Sequence, residues 1–205
     1  MKIFATGFNY LEYNKTAVIP LSDKERPVLF TKADSSLLKG GRPFFLPDEL
    51  GPVHYETELV VRICRLGKSV PVRFAHRYYD AVTCGIDFTA VDLLKRLASK
   101  GLPWDLSKSF DGAAAIGEWV TLDQKAEVQN LHFHLDINGR TVQRGFTHDM
   151  LCGVDELIAF ISRFFTLRTG DILFTGAPSS SGLVHENDHL VGYVEDKKVL
   201  EFNVK

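Results

Sequence analysis

The sequence has few cysteines, no long apolar run and no excess of either charge. Its three cysteines are odd in number and lack Cys-x-x-Cys spacing, which favours reduced core thiols over disulfides or structural zinc. Its longest apolar stretches have the length of a strand, so we predict neither a membrane span nor a signal peptide. Lysine and arginine total 24 against 26 aspartate and glutamate, which creates no general attraction to nucleic acid or anionic membranes. We therefore expect a cytoplasmic protein that binds neither.

The absence of repeats, linkers and low-complexity tracts predicts one domain over residues 1–205, in which residues 1–50 form an N-terminal segment. Residues 9–26 of this segment are polar and aromatic, and they are predicted to form a loop or broken helix. Strands and helices are interleaved along the rest of the chain. The predicted strands are Lys2–Thr6, Pro27–Lys32, Glu56–Cys64 and Leu131–Ile137, and Asp171–Pro178 is predicted to be a strand that runs into a turn. The predicted helices begin at Val91 and Asp155.

Three acidic residues lie in segments that otherwise read as buried strands. Glu56 and Glu58 share one face of their strand because side chains alternate along it, and Asp87 lies in an apolar run of its own. A solvated strand face would explain the two glutamates alone. Asp87 has aromatic and apolar flanks, and a buried carboxylate is costly unless it is paired or binds a cation. The three together indicate a hard, oxygen-ligated metal ion.

Three further patterns contain residues of the kinds that stabilise anions or bind metal ions. Lys108 lies between small polar and aromatic residues, where it is either a solvated lysine or a cationic partner for an enolate or carboxylate. His132 and His134 share a strand face before the hairpin signal Asn138-Gly139. An exposed sheet face explains this pair better than a zinc site, because no third ligand follows at a recognisable spacing. The loop 179–182 is either a simple turn or a source of N–H groups for an anionic substrate.

Ordered motifs across nearly the whole chain resemble the fumarylacetoacetate hydrolase family, specifically its short members that act as acylpyruvate hydrolases, oxaloacetate decarboxylases or 2-hydroxyhepta-2,4-diene-1,7-dioate isomerases. These motifs are Gly7-Phe8-Asn9-Tyr10, Pro27-Val28-Leu29-Phe30, His54-Tyr55-Glu56-Thr57-Glu58-Leu59, Gly85-Ile86-Asp87-Phe88-Thr89-Ala90, Lys100-Gly101-Leu102-Pro103-Trp104, Ser107-Lys108-Ser109-Phe110-Asp111, Asn138-Gly139 and Thr169-Gly170-Asp171-Ile172-Leu173-Phe174-Thr175-Gly176.

The resemblance implies an α+β fold, a roll of mixed β-sheets with peripheral helices, in a homodimer. It implies Mg²⁺ at Glu56, Glu58 and Asp87, with Mn²⁺ or Ca²⁺ as alternatives, and an all-carboxylate site suits these ions better than zinc. It also implies that Lys108 is a catalytic residue that faces the substrate, and that Phe30, Thr175 and Gly176 bind this small oxo acid.

The sequence departs from the family pattern at three places. In the N-terminal motif, Phe8 replaces an arginine and Tyr13 replaces the histidine that activates water, so Glu12 is our candidate for the base. Val91 replaces another arginine, and the loop 176–182 is altered. General-base catalysis contributes roughly 100- to 10,000-fold, so its loss would harm hydrolysis more than decarboxylation.

Our leading hypothesis is a Mg²⁺-dependent enzyme that acts on 2-oxo acids or 1,3-dicarbonyl compounds by C–C hydrolysis, decarboxylation or isomerisation. In each reaction a divalent ion can stabilise an enolate. A diverged member that binds metal and a dicarboxylate without turnover is the second hypothesis. A zinc hydrolase that uses His132 and His134 is the third.

Overall fold

The computed structural model describes residues 1–10, 27–122, 128–179 and 181–205, and the strands in these ranges form two β-sheets. The strands in these ranges are β1 (Ile3–Gly7), β2 (Val28–Lys32), β3 (Leu37–Leu38), β4 (Val53–Ile63), β5 (Tyr79–Ala90), β6 (Ala114–Ile116), β7 (Val120–Thr121), β8 (His132–Ile137), β9 (Arg140–Phe146), β10 (Ile172–Phe174), β11 (Gly182–Leu183), β12 (His189–Val194) and β13 (Lys197–Asn203). The expected α+β roll of mixed sheets is confirmed.

The larger sheet has the strand order β2-β1-β10-β4-β5-β6-β3, with β11 paired to β4 and β7 paired to β5. The pairs β1–β10 and β3–β6 are parallel, and the long central pair β4–β5 is antiparallel. The sheet curls into a half-barrel. We call the concave side, which carries Glu56, Val60 and Phe174, the inner face, and the opposite side the outer face.

The outer face packs against the smaller sheet, whose strand order is β13-β12-β8-β9. Leu59 and Ile86 from the larger sheet belong to one buried apolar cluster with Phe133 and Leu190 from the smaller one. The inner face has a separate apolar cluster that includes Ile3, Val60 and Phe174. The apolar cores on the two faces of the central strands are therefore distinct.

Three α-helices lie in the described ranges: α1 (Val72–Ala75), α2 (Val91–Ala98) and α3 (Val154–Phe164). The predicted helices are confirmed, and α3 buries its apolar stripe in the cluster on the outer face. The carboxylate of Glu156 accepts a hydrogen bond of 2.8 Å from the Gly153 N–H and so caps α3. No helix in the described ranges has the length and apolarity needed to cross a membrane.

The hairpin prediction is also confirmed, because Asn138 and Gly139 join β8 to β9 with φ values of 52° and 75°. The expectation for the cysteines is only partly right. None of the three forms a disulfide, but only Cys84 is buried, whereas Cys64 and Cys152 are half-buried. Cys64 directly follows β4, and Cys152 lies two residues before the start of α3.

Candidate active site

The pairing of β4 with β5 brings the three acidic residues to the inner face. Glu56 lies opposite Asp87, and Glu58 lies opposite Gly85, so all three carboxylates project from one side of adjacent strands. Their exposed fractions are 9%, 2% and 1% for Glu56, Glu58 and Asp87. A solvated strand face is thereby excluded as the explanation of the Glu-x-Glu pattern.

The strands beside the three carboxylates pack so closely at Gly85 that no side chain fits there. A Cβ atom at position 85 would lie 2.5 Å from Val60 Cγ2 and 2.9 Å from the Ala115 carbonyl oxygen. Such distances are too short for van der Waals contact, so the close packing of β4, β5 and β6 at this point requires glycine.

Lys108 is a buried cation between two of the carboxylates. Its Nζ donates to Glu56 Oε2 at 2.6 Å and to Asp87 Oδ2 at 2.9 Å, and it lies 5.1 Å from the centre of the Phe30 ring. Burial alone would lower the pKa of Lys108, but the charges of Asp87 and Glu56 outweigh it and raise this pKa. Lys108 is therefore protonated, and the solvated alternative is wrong.

Lys32 is a second buried cation in the cluster, and sequence reasoning missed it. Its Nζ lies 2.6 Å from Asp87 Oδ1, although three strands separate β2 from β5 in the sheet. The curl of the half-barrel makes this contact possible. Burial lowers the pKa of Lys32 and the charge of Asp87 partly offsets this effect. Its other neighbours are backbone carbonyl oxygens, which accept hydrogen bonds from an ammonium group.

No lysine among the described residues forms an ion pair with Glu58. Its Oε2 accepts a hydrogen bond of 2.6 Å from the Gly176 N–H. Burial, followed by the charge of Asp87, raises the pKa of Glu58 well above its usual value. Three carboxylates against two ammonium groups leave the cluster one positive charge short when all five are ionised.

The Thr175–Gly176 turn is held in place from several sides. The Thr175 hydroxyl donates to the Leu59 carbonyl at 2.8 Å, and the Asn9 side chain donates to the Thr175 carbonyl at 2.8 Å. Gly176 has a φ of 100°, and a Cβ atom there would lie 2.8 Å from Asn9 Cβ. Further along, Gln143 donates to the Ser179 carbonyl at 3.1 Å. Asn9 and Gln143 are thus supporting residues that the sequence analysis did not single out.

The donor set of this cluster fits a hard divalent cation, but the side chains do not enclose a site as they stand. Buried carboxylates with a missing positive charge match the oxygen ligands that Mg²⁺ and Mn²⁺ prefer. Across the described ranges, no three His, Cys, Asp or Glu side chains are arranged to hold a metal ion. Lys108 Nζ lies between Glu56 and Asp87, so cation binding would require this ammonium to shift.

The other predicted residues have varied positions. Phe30 is half-buried, with its ring edge-on to Trp104 at 5.4 Å between centroids and beside Lys108. Glu12 and Tyr13 lie outside the described residues, so the candidate base is not located. Val91 is the first residue of α2.

His132 and His134 lie on the smaller sheet, away from the carboxylates. The His132 ring stacks on Phe146 at 4.2 Å between centroids, and the His134 ring stacks on Tyr193 at 4.4 Å. Within the part of the chain that the structure describes, no third ligand joins them. Stacking on a sheet surface explains the pair, as the sequence analysis favoured.

Comparisons with known proteins agree with this fold and with the motifs. The profile of the family described as fumarylacetoacetate (FAA) hydrolase, C-terminal, matches residues 2–205. The rat protein oxaloacetate tautomerase FAHD1, mitochondrial, is 30% identical over 203 residues, which is 99% of this chain and 91% of the relative.

Two solved structures superpose closely on the chain. A fumarylacetoacetate hydrolase family protein from Yersinia pestis CO92 has a TM-score of 0.93 at 32% identity, over 100% of this chain and 93% of that one. Fumarylpyruvate hydrolase from Pseudomonas aeruginosa, in complex with Mn²⁺ and pyruvate, has a TM-score of 0.91 at 28% identity, over 100% and 89%.

Proposed function

Since the chain belongs to the fumarylacetoacetate hydrolase family, we propose that it is a divalent-cation-dependent enzyme for small 2-oxo acids or 1,3-dicarbonyl compounds. The observation that carries the proposal is the buried cluster of Glu56, Glu58 and Asp87, which together with Lys32 and Lys108 is short of one positive charge when all five groups are ionised. Buried charge of this kind is costly for folding and is characteristic of functional sites.

Glu56, Glu58 and Asp87 would hold the cation, which we propose is Mg²⁺ or Mn²⁺. When bound, it supplies positive charge that stabilises an enolate. The Pseudomonas aeruginosa structure, with Mn²⁺ and pyruvate, supports this choice of ion and substrate class.

The chain's own residues would bind and orient the substrate. Lys108 would donate hydrogen bonds to an oxygen that becomes negatively charged, because its ammonium stays protonated among the carboxylates. Phe30 would form the apolar wall beside this ammonium. The Thr175–Gly176 turn would hold Glu58 through the Gly176 N–H and line the opposite side.

The reaction itself is hydrolysis, decarboxylation or isomerisation, and the altered N-terminal motif favours the latter two. Hydrolysis needs a base that activates water for attack on carbon. Decarboxylation chiefly needs the developing enolate to be stabilised, and keto–enol isomerisation needs this stabilisation together with a group that moves one proton between carbon and oxygen, with no water to activate. The oxaloacetate tautomerase activity named for the rat relative is consistent with this preference.

We also propose that the protein is a homodimer, which light scattering of the purified protein would test.

The deciding experiment measures turnover of oxaloacetate, enol-oxaloacetate and an acylpyruvate by protein that has been stripped with EDTA and then reloaded with Mg²⁺ or Mn²⁺. We expect no turnover without cation and recovery with either ion. Turnover that persists unchanged after complete removal of cations would contradict the proposal.

A diverged member that binds without catalysis is the alternative, and the altered loop 176–182 motivates it. Calorimetry with oxalate separates the two functions. Binding of oxalate that requires Mg²⁺, together with no turnover across a broad panel of oxo acids, would favour the binding protein.

A further inference from the structure

Lys32 is a fully buried cation near the site, and such burial is unusual for a lysine at the end of a strand. It is the last residue of β2, and its side chain is fully buried. Strand alternation places it on the same face as Phe30. From there it reaches across the half-barrel to Asp87 on β5, so it joins segments that are distant in both the sequence and the sheet.

The contacts of Lys32 are divided between one carboxylate and the backbone that carries the other lysine. Its Nζ contacts Asp87 Oδ1 at 2.6 Å, donates to the Ala113 carbonyl at 2.9 Å, and donates to the carbonyl of Lys108. The Phe88 carbonyl lies farther away, at 3.5 Å. A lysine on the surface would donate its hydrogen bonds to water, whereas Lys32 donates them to backbone carbonyls and forms an ion pair with Asp87.

A neighbouring contact reinforces the link between the end of β2 and the Lys108 segment. The Ala33 N–H donates to Ser109 Oγ at 2.6 Å. Residues 32 and 33 therefore bind residues 108 and 109 in sequence. Lys108 follows a single 3₁₀ turn, Asp105–Ser107, and a segment this short depends on such contacts for its position.

We propose that Lys32 is a positioning residue that fixes Asp87 and the backbone of Lys108 relative to each other. It occupies Asp87 Oδ1, which leaves Oδ2 as the oxygen that faces Lys108 and, on the proposed function, the cation. It also anchors the Lys108 carbonyl, so that the Lys108 ammonium lies between Glu56 and Asp87. The part that concerns the cation rests on the proposed function, and the part that concerns Lys108 does not.

The test compares Lys32→Met with Lys2→Met, which provides a matched control. Lys2 Nζ forms an ion pair with the buried Asp171 at 2.6 Å, on the same sheet but at the start of β1. Both variants remove a lysine from a Lys–Asp pair, and only Lys32→Met touches the site. Two properties are measured: Mn²⁺ affinity by calorimetry, and amide hydrogen exchange over residues 105–113 in EDTA.

We expect Lys32→Met to weaken Mn²⁺ binding by about 10- to 100-fold, the usual effect of removing a partner that orients a metal ligand. Exchange over residues 105–113 should become several-fold faster because the Lys108 carbonyl loses its anchor. Lys2→Met should change neither property. Wild-type Mn²⁺ affinity in folded Lys32→Met, or unchanged exchange in this segment, would overturn the proposal.

The two readouts separate this inference from the proposed function. If the wild-type protein binds no divalent cation, the proposed function fails, and hydrogen exchange still decides whether Lys32 anchors Lys108. If Lys32→Met does not fold, the single variant Asp87→Asn is compared with the double variant Lys32→Met/Asp87→Asn. The double variant removes both charges of the Lys32–Asp87 ion pair, so neither charge is buried without its partner. Equal rates of amide hydrogen exchange over residues 105–113 in these two variants would overturn the proposal that Lys32 anchors the Lys108 segment.

Discussion

The two faces of β4 differ in chemistry, because alternate residues of this one strand are apolar on the outer face and acidic on the inner face. On the outer face, Leu59 and Val61 pack into the apolar cluster shared with the smaller sheet. On the inner face, Glu56 and Glu58 are buried with too little positive charge to balance them. The outer face therefore contributes stability under all conditions. On the proposed function, the inner face would contribute fully only when a cation is bound, so variants on the two faces should respond differently to EDTA.

The largest effect is expected for Lys108→Met on the inner face. Loss of one group that stabilises developing negative charge lowers kcat by roughly 10²- to 10³-fold. The variant should also be less stable in EDTA, because Glu56 and Asp87 lose their shared ammonium, and added Mn²⁺ should restore part of this stability. Kinetics and thermal unfolding measure both effects, with the exposed Lys100→Met as the control. Activity of Lys108→Met close to that of the wild type would show that Lys108 takes no part in catalysis.

Leu59→Ala should weaken apolar packing on the outer face and so lower the stability of the protein, without changing the carboxylate cluster on the inner face. Leu59 is fully buried, and Leu→Ala changes in cores cost about 2–5 kcal/mol. We expect urea unfolding to give the same loss with EDTA and with Mn²⁺, and kcat of the folded variant to stay near that of the wild type. A loss that shrinks when Mn²⁺ is added would mean that the two faces are coupled.

Glu58→Gln should stabilise the cation-free protein at neutral pH. Burial raises the pKa of Glu58 above its usual 4.5, so the folded protein binds this proton more tightly than the unfolded chain. The resulting stability is present below about pH 4.5 and is lost as pH rises through the folded pKa. Glutamine cannot ionise, and it still accepts the Gly176 N–H.

In EDTA, the unfolding temperature of Glu58→Gln should therefore exceed that of the wild type by a margin that grows between pH 5 and pH 8. With Mn²⁺ the order should reverse, because the variant has lost a carboxylate ligand. A variant that is less stable than the wild type at pH 8 in EDTA would show that Glu58 is already compensated.

The smallest effect concerns thiol reactivity on the outer face. Burial raises the pKa of the Cys84 thiol to about 12, whereas Cys64 and Cys152 are half-buried. At pH 8, iodoacetamide should modify Cys64 and Cys152 well before Cys84, as peptide mass mapping would measure. In guanidinium all three should react alike. Rapid modification of Cys84 in the native protein would mean that the outer face opens readily.

Strand periodicity was sufficient to predict the arrangement of the acidic residues, because alternation and burial are local properties. It correctly placed Glu56 and Glu58 on one face and set Asp87 in a buried strand. Their partners could not be inferred in the same way. Gly176 reaches Glu58 from 118 residues away, and nothing in the turn itself indicates that contact.

Lys32 illustrates the limit of local reasoning most clearly. A lysine at the end of a short strand is typical of a solvated position. Its burial depends on the curl of the sheet, which is a property of all the strands together. The one available signal was its same-face relation to Phe30, a residue already expected to contact substrate.

The parallel pairing of β1 with β10 also affects the order in which the protein folds during synthesis. Ile3 pairs with Ile172, so β1 leaves the ribosome well before β10, the strand with which it pairs in parallel. Until then β1 and β2 expose unpaired edges, and contacts of such long sequence separation form slowly. We expect newly made chains to depend on chaperones at this stage more than their size alone would suggest.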